Sequence, residues 1–394
     1  MISFDDAIGL LAKAVSPLGT ETVTLADAAD RFLAAPLVAR ANAPRRAVSS
    51  MDGYAVAADT TYPDRWIDVV CEARAGAPAS RRLGPGEAAR IFTGAALPDG
   101  ADLVIMQEYA DRQGERVRFR PGYGPDTHVR AAGSDFRVGD ILVPAGTRLG
   151  PRAMVTAAAA DRAHLDVYRR PTVAIIATGD ELAEPGTSSD TPDTLPESAS
   201  YGVAALCVRM GGVVVARMRG RDCLDELASL AARALEMADC VVVIGGASVG
   251  DRDFARPMFA KTATELAFAG VAIKPGKPVW LGKAKGSLIL GLPGNPTSAM
   301  VTARLFLQPA LTRLQGGDPA TDLAFQAMPL AQALPATGPR ETFVRASAGP
   351  HGLQPVGNQE SGAQAPLLAA DWLIRCPPGQ PAMQTGHHAA ALTF

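Results

Sequence analysis

Two short stretches without a single charged residue constrain this chain most: residues 172–177 (TVAIIA) and Cys240–Ile244 (CVVVI). A strand with no polar alternation has no face for water, so it must be covered on both sides. Residues 213–218 and 287–290 read as further strands, and 201–210, 224–237 and 296–314 as helices between and after them. Doubly apolar strands alternating with helices specify a doubly wound, parallel α/β sheet. In such a sheet, ligands bind at the carboxyl ends of the strands.

Three of these strands run directly into polar, glycine-rich loops. They are Thr178-Gly179-Asp180-Glu181-Leu182, Gly245-Gly246-Ala247-Ser248-Val249-Gly250-Asp251-Arg252-Asp253, and Leu292-Pro293-Gly294-Asn295-Pro296. All three are expected at one sheet edge, and none matches a dinucleotide or P-loop fingerprint. Asn295 suits a helix cap and Pro296 a first helical position, which aims amide groups at that edge. Taken alone, the same loop fits a plain strand-to-helix turn equally well. Gly245, Gly246 and Gly250 allow close backbone approach to an anion. Asp180, Glu181 and Asp253 would repel a phosphate unless a hard cation such as Mg²⁺ bridged them. A single loop acid is usually a solvated charge, and several at one edge shift the balance toward function. The turn Lys274-Pro275-Gly276-Lys277-Pro278 can present two ammonium groups to the same oxyanion.

The rest of the chain reads differently. Residues 1–40 show helical patterns at 4–15 and 25–33. Residues 41–134 carry short apolar runs at 66–71, 88–92, 103–107 and 117–119 between turn clusters, the pattern of a small β domain. Residues 318–394 read as a small β-barrel or sandwich. Within the first β region, Ser49-Ser50-Met51-Asp52-Gly53-Tyr54-Ala55, Phe92-Thr93-Gly94-Ala95 and Arg130-Ala131-Ala132-Gly133-Ser134-Asp135 each pair a polar group with a glycine. Spacing alone assigns them no shared chemistry.

At 394 residues the chain is too long for one core. Its formal net charge of -2 argues against a nucleic-acid or membrane surface. No apolar run approaches the ~20 residues that span a bilayer. The amino-terminal stretch lacks the basic region of a signal peptide, so a cytoplasmic location is expected. Cys207, Cys223 and Cys240 lie in apolar stretches without CxxC spacing and read as buried, reduced thiols. His128, His164, His351, His387 and His388 lie outside every motif, which disfavours a Ser-His-Asp hydrolase or a His-based zinc site.

The ordered set of motifs resembles the molybdopterin molybdenumtransferases, including the bacterial MoeA proteins and the E domain of gephyrin. The resemblance runs through Met51-Asp52-Gly53-Tyr54-Ala55, Thr93-Gly94-Ala95, Thr178 to Leu182, Gly245 to Gly250, Lys274 to Pro278 and Leu292 to Pro296. It covers nearly the whole chain. It implies an L-shaped subunit with an elongated domain from residues 1–40 and 135–168 and an inserted β domain at 41–134. A molybdopterin-binding α/β domain at 169–317 and a C-terminal β-barrel at 318–394 follow. It further implies a homodimer whose active site lies between the α/β domain of one subunit and the inserted domain of the other. The implied reaction inserts molybdate into adenylylated molybdopterin with Mg²⁺ and releases AMP. Other cofactor-biosynthesis proteins or molybdoenzymes would be its partners.

Carried over residue by residue, the resemblance makes Asp52, Thr93, Asp135, Glu181 and Asp253 catalytic. It makes Asp180, Glu181 and Asp253 the metal carboxylates. Arg130 joins Asp135 in an Arg-x-x-Gly-x-Asp pattern, and Asp222 is the acid of an Arg-Asp pair after the second strand. Substrate contacts fall on Thr178, Gly179, Gly245, Gly246, Ser248 and Gly250, on Lys274 and Lys277, and on Pro293, Gly294, Asn295 and Pro296. Arg345 and Ser361 in the barrel fall near the pocket. The chain departs from the family where Glu197-Ser198-Ala199 replaces an Asp-Ser/Thr-Asn, and where Gly270 replaces a basic residue. Asp161-Arg162 also interrupts a normally apolar stretch. These departures leave two alternatives: a non-catalytic paralogue that binds or scaffolds the cofactor, and a tungstate-using relative.

Overall fold

The computed structural model describes residues 1–190, 192–246 and 254–394. Thr172–Thr178 and Cys240–Ile244 pair in parallel at the centre of a six-stranded sheet. Residues 173–177 and 240–244 are at most 3% exposed, as strands without a solvent face require. The sheet order is Val213–Gly220, Thr172–Thr178, Cys240–Ile244, Ser287–Leu292, Trp280–Ala284, Glu265–Ala269. The first four strands are parallel and the last two antiparallel. The antiparallel edge departs from the wholly parallel sheet read from sequence. Lys285 and Gly286 both have positive φ, and such a two-residue turn folds its flanking strands into a hairpin.

Strand order reverses between Thr172–Thr178 and Cys240–Ile244. That reversal opens a crevice beyond their carboxyl ends. Helix Leu224–Met237 and the turn Pro257–Thr262 cover one face of the sheet. Helix Ala199–Arg209 and the helical run from 296 to 314 cover the other. That run is an α-helix at Pro296–Thr302, a π-helix at Ala303–Leu307 and an α-helix at Gln308–Leu314. Pro309 has no N–H to donate, and a widened turn relieves its clash with the preceding carbonyl.

The helix Phe4–Ala14 begins at Ser3, whose hydroxyl accepts the Asp6 N–H at 3.1 Å. Sequence placed it in the elongated domain. Its apolar face, Phe4, Ala7 and Leu11, instead joins the core beneath the α/β sheet. Phe4 packs edge-on against Phe306 and Phe343, linking that domain to the C-terminal one. The second expected helix, 25–33, is only a turn at Ala26–Ala28. Thr20–Thr24 pairs with His164–Tyr168, and Leu33 bridges Val167. This pairing buries Ala28 and Leu33 in a small core without a helix.

The inserted domain is a six-stranded sheet ordered Leu103–Met106, Gly53–Val56, Glu87–Ile91, Trp66–Ala73, Arg116–Phe119, Ala110–Gln113. All four apolar runs read from sequence lie within or overlap its strands. In the C-terminal domain, Glu341–Gly349, Trp372–Cys376, His388–Thr393 and Gln326–Pro329 form an antiparallel sheet. A bridge between Leu330 and Leu353 brings its two sides round into a barrel-like closure. Ile273–Lys274 pairs in parallel with Glu341 and Thr342, so the lysine turn is tied to this domain. Among the described residues, no helix is long and apolar enough to cross a membrane. Cys207 and Cys240 are buried, and burial pushes the Cys207 thiol up to about 12. Cys223 is exposed, against the sequence reading, because it starts a helix at the surface.

Candidate active site

A cavity of ≈ 470 Å³ opens at the switch point. The first loop contributes Thr178, Gly179, Glu181 and Leu182. The second contributes Gly245 and Gly246, and the third Pro293, Gly294, Asn295 and Pro296. Ser248, Gly250 and Asp253 lie outside the described residues. Glycine is required where these loops meet. A Cβ on Gly245, whose φ is +98°, would sit 2.6 Å from the Thr178 carbonyl, and one on Gly294 would sit 3.3 Å from the Gly245 Cα. The Thr178 hydroxyl is buried and has no hydrogen-bond partner among the described residues, although Thr178 lines the cavity. A buried donor left unmade costs about 1–3 kcal/mol, so an acceptor on a bound guest would satisfy it.

Three carboxylates line the cavity, Glu181, Glu197 and Asp222, and no Lys, Arg or His does so among the described residues. Asp180, expected as a metal ligand, does not line it. Its Oδ1 accepts the Asp222 N–H at 3.0 Å and ties the first loop to the loop after Val213–Gly220. Glu197 was a departure with no assigned role. It is 6% exposed, and its carboxylate accepts the Ser200 N–H at 2.8 Å and the Ser200 hydroxyl at 2.5 Å. Glu197 therefore satisfies an orphan donor at the start of helix Ala199–Arg209. The local signal was an acid three residues before a helical serine, a spacing that lets its carboxylate reach the Ser200 N–H.

The lysine turn does not point as expected. Ile273 is fully buried, so strand alternation turns Lys274 to the opposite face. Lys274 lines a separate cavity of ≈ 250 Å³ with Thr337, Arg340 and Thr342. Lys277 is exposed, and only Pro278 of this turn reaches the main cavity. Arg345 is turned into its own domain. It is 1% exposed and absent from the cavity lining, and its Nη2 donates to the carbonyls of Asn358 at 3.0 Å and Glu360 at 3.2 Å. It shapes the loop that delivers Ser361. The Ser361 hydroxyl accepts from Asn295 Nδ2 at 3.0 Å, so Asn295 occupies the cap position without making a side-chain cap bond. Gln364, from the same segment, accepts the Ser198 hydroxyl at 3.1 Å and closes one side of the cavity.

The inserted domain gathers its motifs at a different place. Ser49 donates its N–H to the Ala95 carbonyl, Gly94 donates to Ser49, and Ser50 donates to His128. Val48–Ser49 pairs with Val129–Arg130. Asp52, Thr93 and Arg130 thus come from three adjoining segments. Asp52 Oδ1 accepts the Thr93 N–H at 2.7 Å and its hydroxyl at 2.8 Å. These two bonds, with a smaller contribution from Arg90, hold the Asp52 carboxyl below the usual carboxylate range. Arg130 and Asp135 are exposed on the segment that follows, where Asp135 donates its N–H to Ala43. None of Asp52, Thr93, Arg130 or Asp135 lines the α/β cavity of its own chain.

The inserted β domain, the α/β domain with its cavity at the switch point and the C-terminal β domain match, in chain order, the family models of one class of enzyme. Residues 2–160 match the MoeA N-terminal region (domain I and II), 174–313 a probable molybdopterin binding domain, and 327–394 the MoeA C-terminal region (domain IV). The chain is 34% identical over 343 residues to the molybdopterin molybdenumtransferase of Nostoc sp., covering 85% of this chain and 78% of that one. It is 30% identical to the one from Bacillus subtilis, covering 99% and 94%. The crystal structure of the molybdopterin biosynthesis MoeA protein from Pyrococcus horikoshii superposes with a TM-score of 0.80 at 27% identity, covering 100% of this chain and 99% of that one. The chain belongs to the molybdopterin molybdenumtransferase family and is an enzyme of molybdenum-cofactor biosynthesis.

Proposed function

We propose that the protein inserts molybdenum from molybdate into adenylylated molybdopterin with Mg²⁺ and releases AMP. The cavity at the switch point carries this reading. It has room for a small organic guest, glycines at its rim and, among the described residues, a Thr178 hydroxyl without a partner and charged groups that are all acidic. An acidic cavity accepts a phosphorylated guest only with a cation between them. Mg²⁺ needs one or two carboxylates plus substrate phosphate oxygens, and not a full protein cage. Glu181 and Asp222, which both line the cavity, would hold it, and it would neutralise charge on the phosphates. Glu197 keeps the helix start in place beside the guest, and Gly245 and Gly246 let the backbone approach closely.

Asp52 and Thr93 act in this reading from the inserted domain of a second copy. Purified protein incubated with adenylylated molybdopterin, molybdate and Mg²⁺ should release AMP in step with loss of either reagent. Tight pterin binding with no AMP formed would overturn the catalytic reading in favour of a carrier.

A further inference from the structure

The carboxylate of Asp52 is held by segments far apart in sequence, and one side chain touches a neighbour in each. Arg90, on Glu87–Ile91, donates from Nη1 to the Gly53 carbonyl at 2.9 Å. Its Nη2 donates to Gln107 Oε1 at 2.6 Å. The guanidinium lies 4.6 Å from the centroid of the Phe92 ring and 5.1 Å from that of Tyr54. Gly53 directly follows Asp52. The Gln107 backbone N–H donates to the Asp52 carbonyl at 3.0 Å. Phe92 directly precedes Thr93, whose N–H and hydroxyl grip the Asp52 carboxylate.

We infer that Arg90 is a positioning residue that fixes the Asp52 carboxylate by clamping together the backbone segments that hold it. The inference rests on the reading of Asp52 as a catalytic group. Arg90 makes no hydrogen bond to Asp52 itself and acts through Gly53, Gln107 and Phe92. The clamp needs two nitrogens in one plane and a flat face to lie on aromatic rings. A lysine offers one compact ammonium and provides neither. Arg90 is also the charged group that acts on Asp52, lowering its pKa beside the two Thr93 bonds. Arg74, 5.5 Å from the Phe92 centroid, is ion-paired with Glu72.

The test compares full-length wild type with Arg90→Gln and Arg90→Lys, reading AMP release against pH and the carbon-13 titration of the Asp52 carboxyl. Both variants should lose roughly tenfold or more in kcat, the scale of a misplaced reacting group, with KM changed far less. A loosened grip removes donors from the ionised carboxylate, so its pKa rises. The acid limb of the rate profile and the Asp52 titration should then move to higher pH in both. A merely structural role would lower Tm and leave both curves in place. Wild-type kcat and acid limb in either variant would overturn the clamp, as would full rescue by lysine, which would leave charge alone. Should Arg90→Gln not fold, Gln107→Ala removes one arm and should give a smaller shift in the same direction; an unmoved Asp52 titration there would overturn the inference. Asp52→Asn separates the two ideas. If it turns over normally, the catalytic reading of Asp52 fails, while the titration of Asp52 in Arg90→Lys still decides the clamp.

Discussion

In the α/β domain, Thr178, Glu181 and Asn295 hang from the ends of buried strands around a cavity of ≈ 470 Å³. In the inserted domain, a half-exposed carboxylate is gripped by Thr93 at 2.7 and 2.8 Å and stands outside that cavity. One region supplies shape: its strands, glycines and helix starts leave a hollow whose polar groups await a guest. The other supplies a charge fixed in direction. A hollow needs topology, because only adjacent strand ends can form it. A fixed charge needs only local hydrogen bonds, provided the backbone beneath it is rigid. The comparison therefore predicts that the two regions fail in different ways.

The largest effect comes from separating the halves. Asp52→Asn and Glu181→Gln should each lower turnover by roughly a hundredfold or more, the scale of a lost acid-base or charge-bearing group. Both variants should remain folded by circular dichroism. Mixed after dissociation, the two inactive variants should recover about a quarter of wild-type activity, because half the dimers are hybrid and each hybrid carries one intact site in a shared two-fold arrangement. No recovery at all would place both residues in one chain's site, or in none. A smaller effect should follow Gly245→Ala. Its positive φ and the 2.6 Å approach to Thr178 leave no room for a Cβ. Strain of about 1–3 kcal/mol should appear in denaturant unfolding, together with weakened pterin binding. The Asp52 titration should stay as in wild type, and a moved titration would mean the two regions are not independent. The smallest effect is Thr93→Val, which removes the hydroxyl bond and keeps the stronger backbone one. The Asp52 pKa is depressed, so losing a donor raises it. The acid limb should move to higher pH, and by less than in the Arg90 variants.

Much of the α/β region was legible because burial writes itself into sequence. Strands closed to water on both faces need unbroken apolar runs, and Cys240–Ile244 is one. Loops that follow such strands share a common edge, and Thr178, Glu181, Gly245 and Asn295 do line one cavity. The inserted domain was legible as short strands but not as a site. Its three polar motifs meet through backbone pairing of residues 48–50 with 94–95 and 128–130, and no local pattern encodes that pairing. The helix expected at 25–33 failed for the same reason: its apolar spacing is satisfied by packing against His164–Tyr168, far along the chain.

By itself, then, the sequence determined where water is excluded, where the chain must turn, and which loops share the carboxyl ends of the central strands. These follow from hydrophobic period and glycine stereochemistry, which act within a few residues. Only the tertiary structure decided which way individual side chains point. It turned Lys274 from the cavity by pairing Ile273 with the C-terminal sheet, and it buried Arg345 as a brace beneath Ser361. Direction depends on pairings outside the local pattern, as in Ile273 with Glu341, and a one-residue step along a strand reverses it.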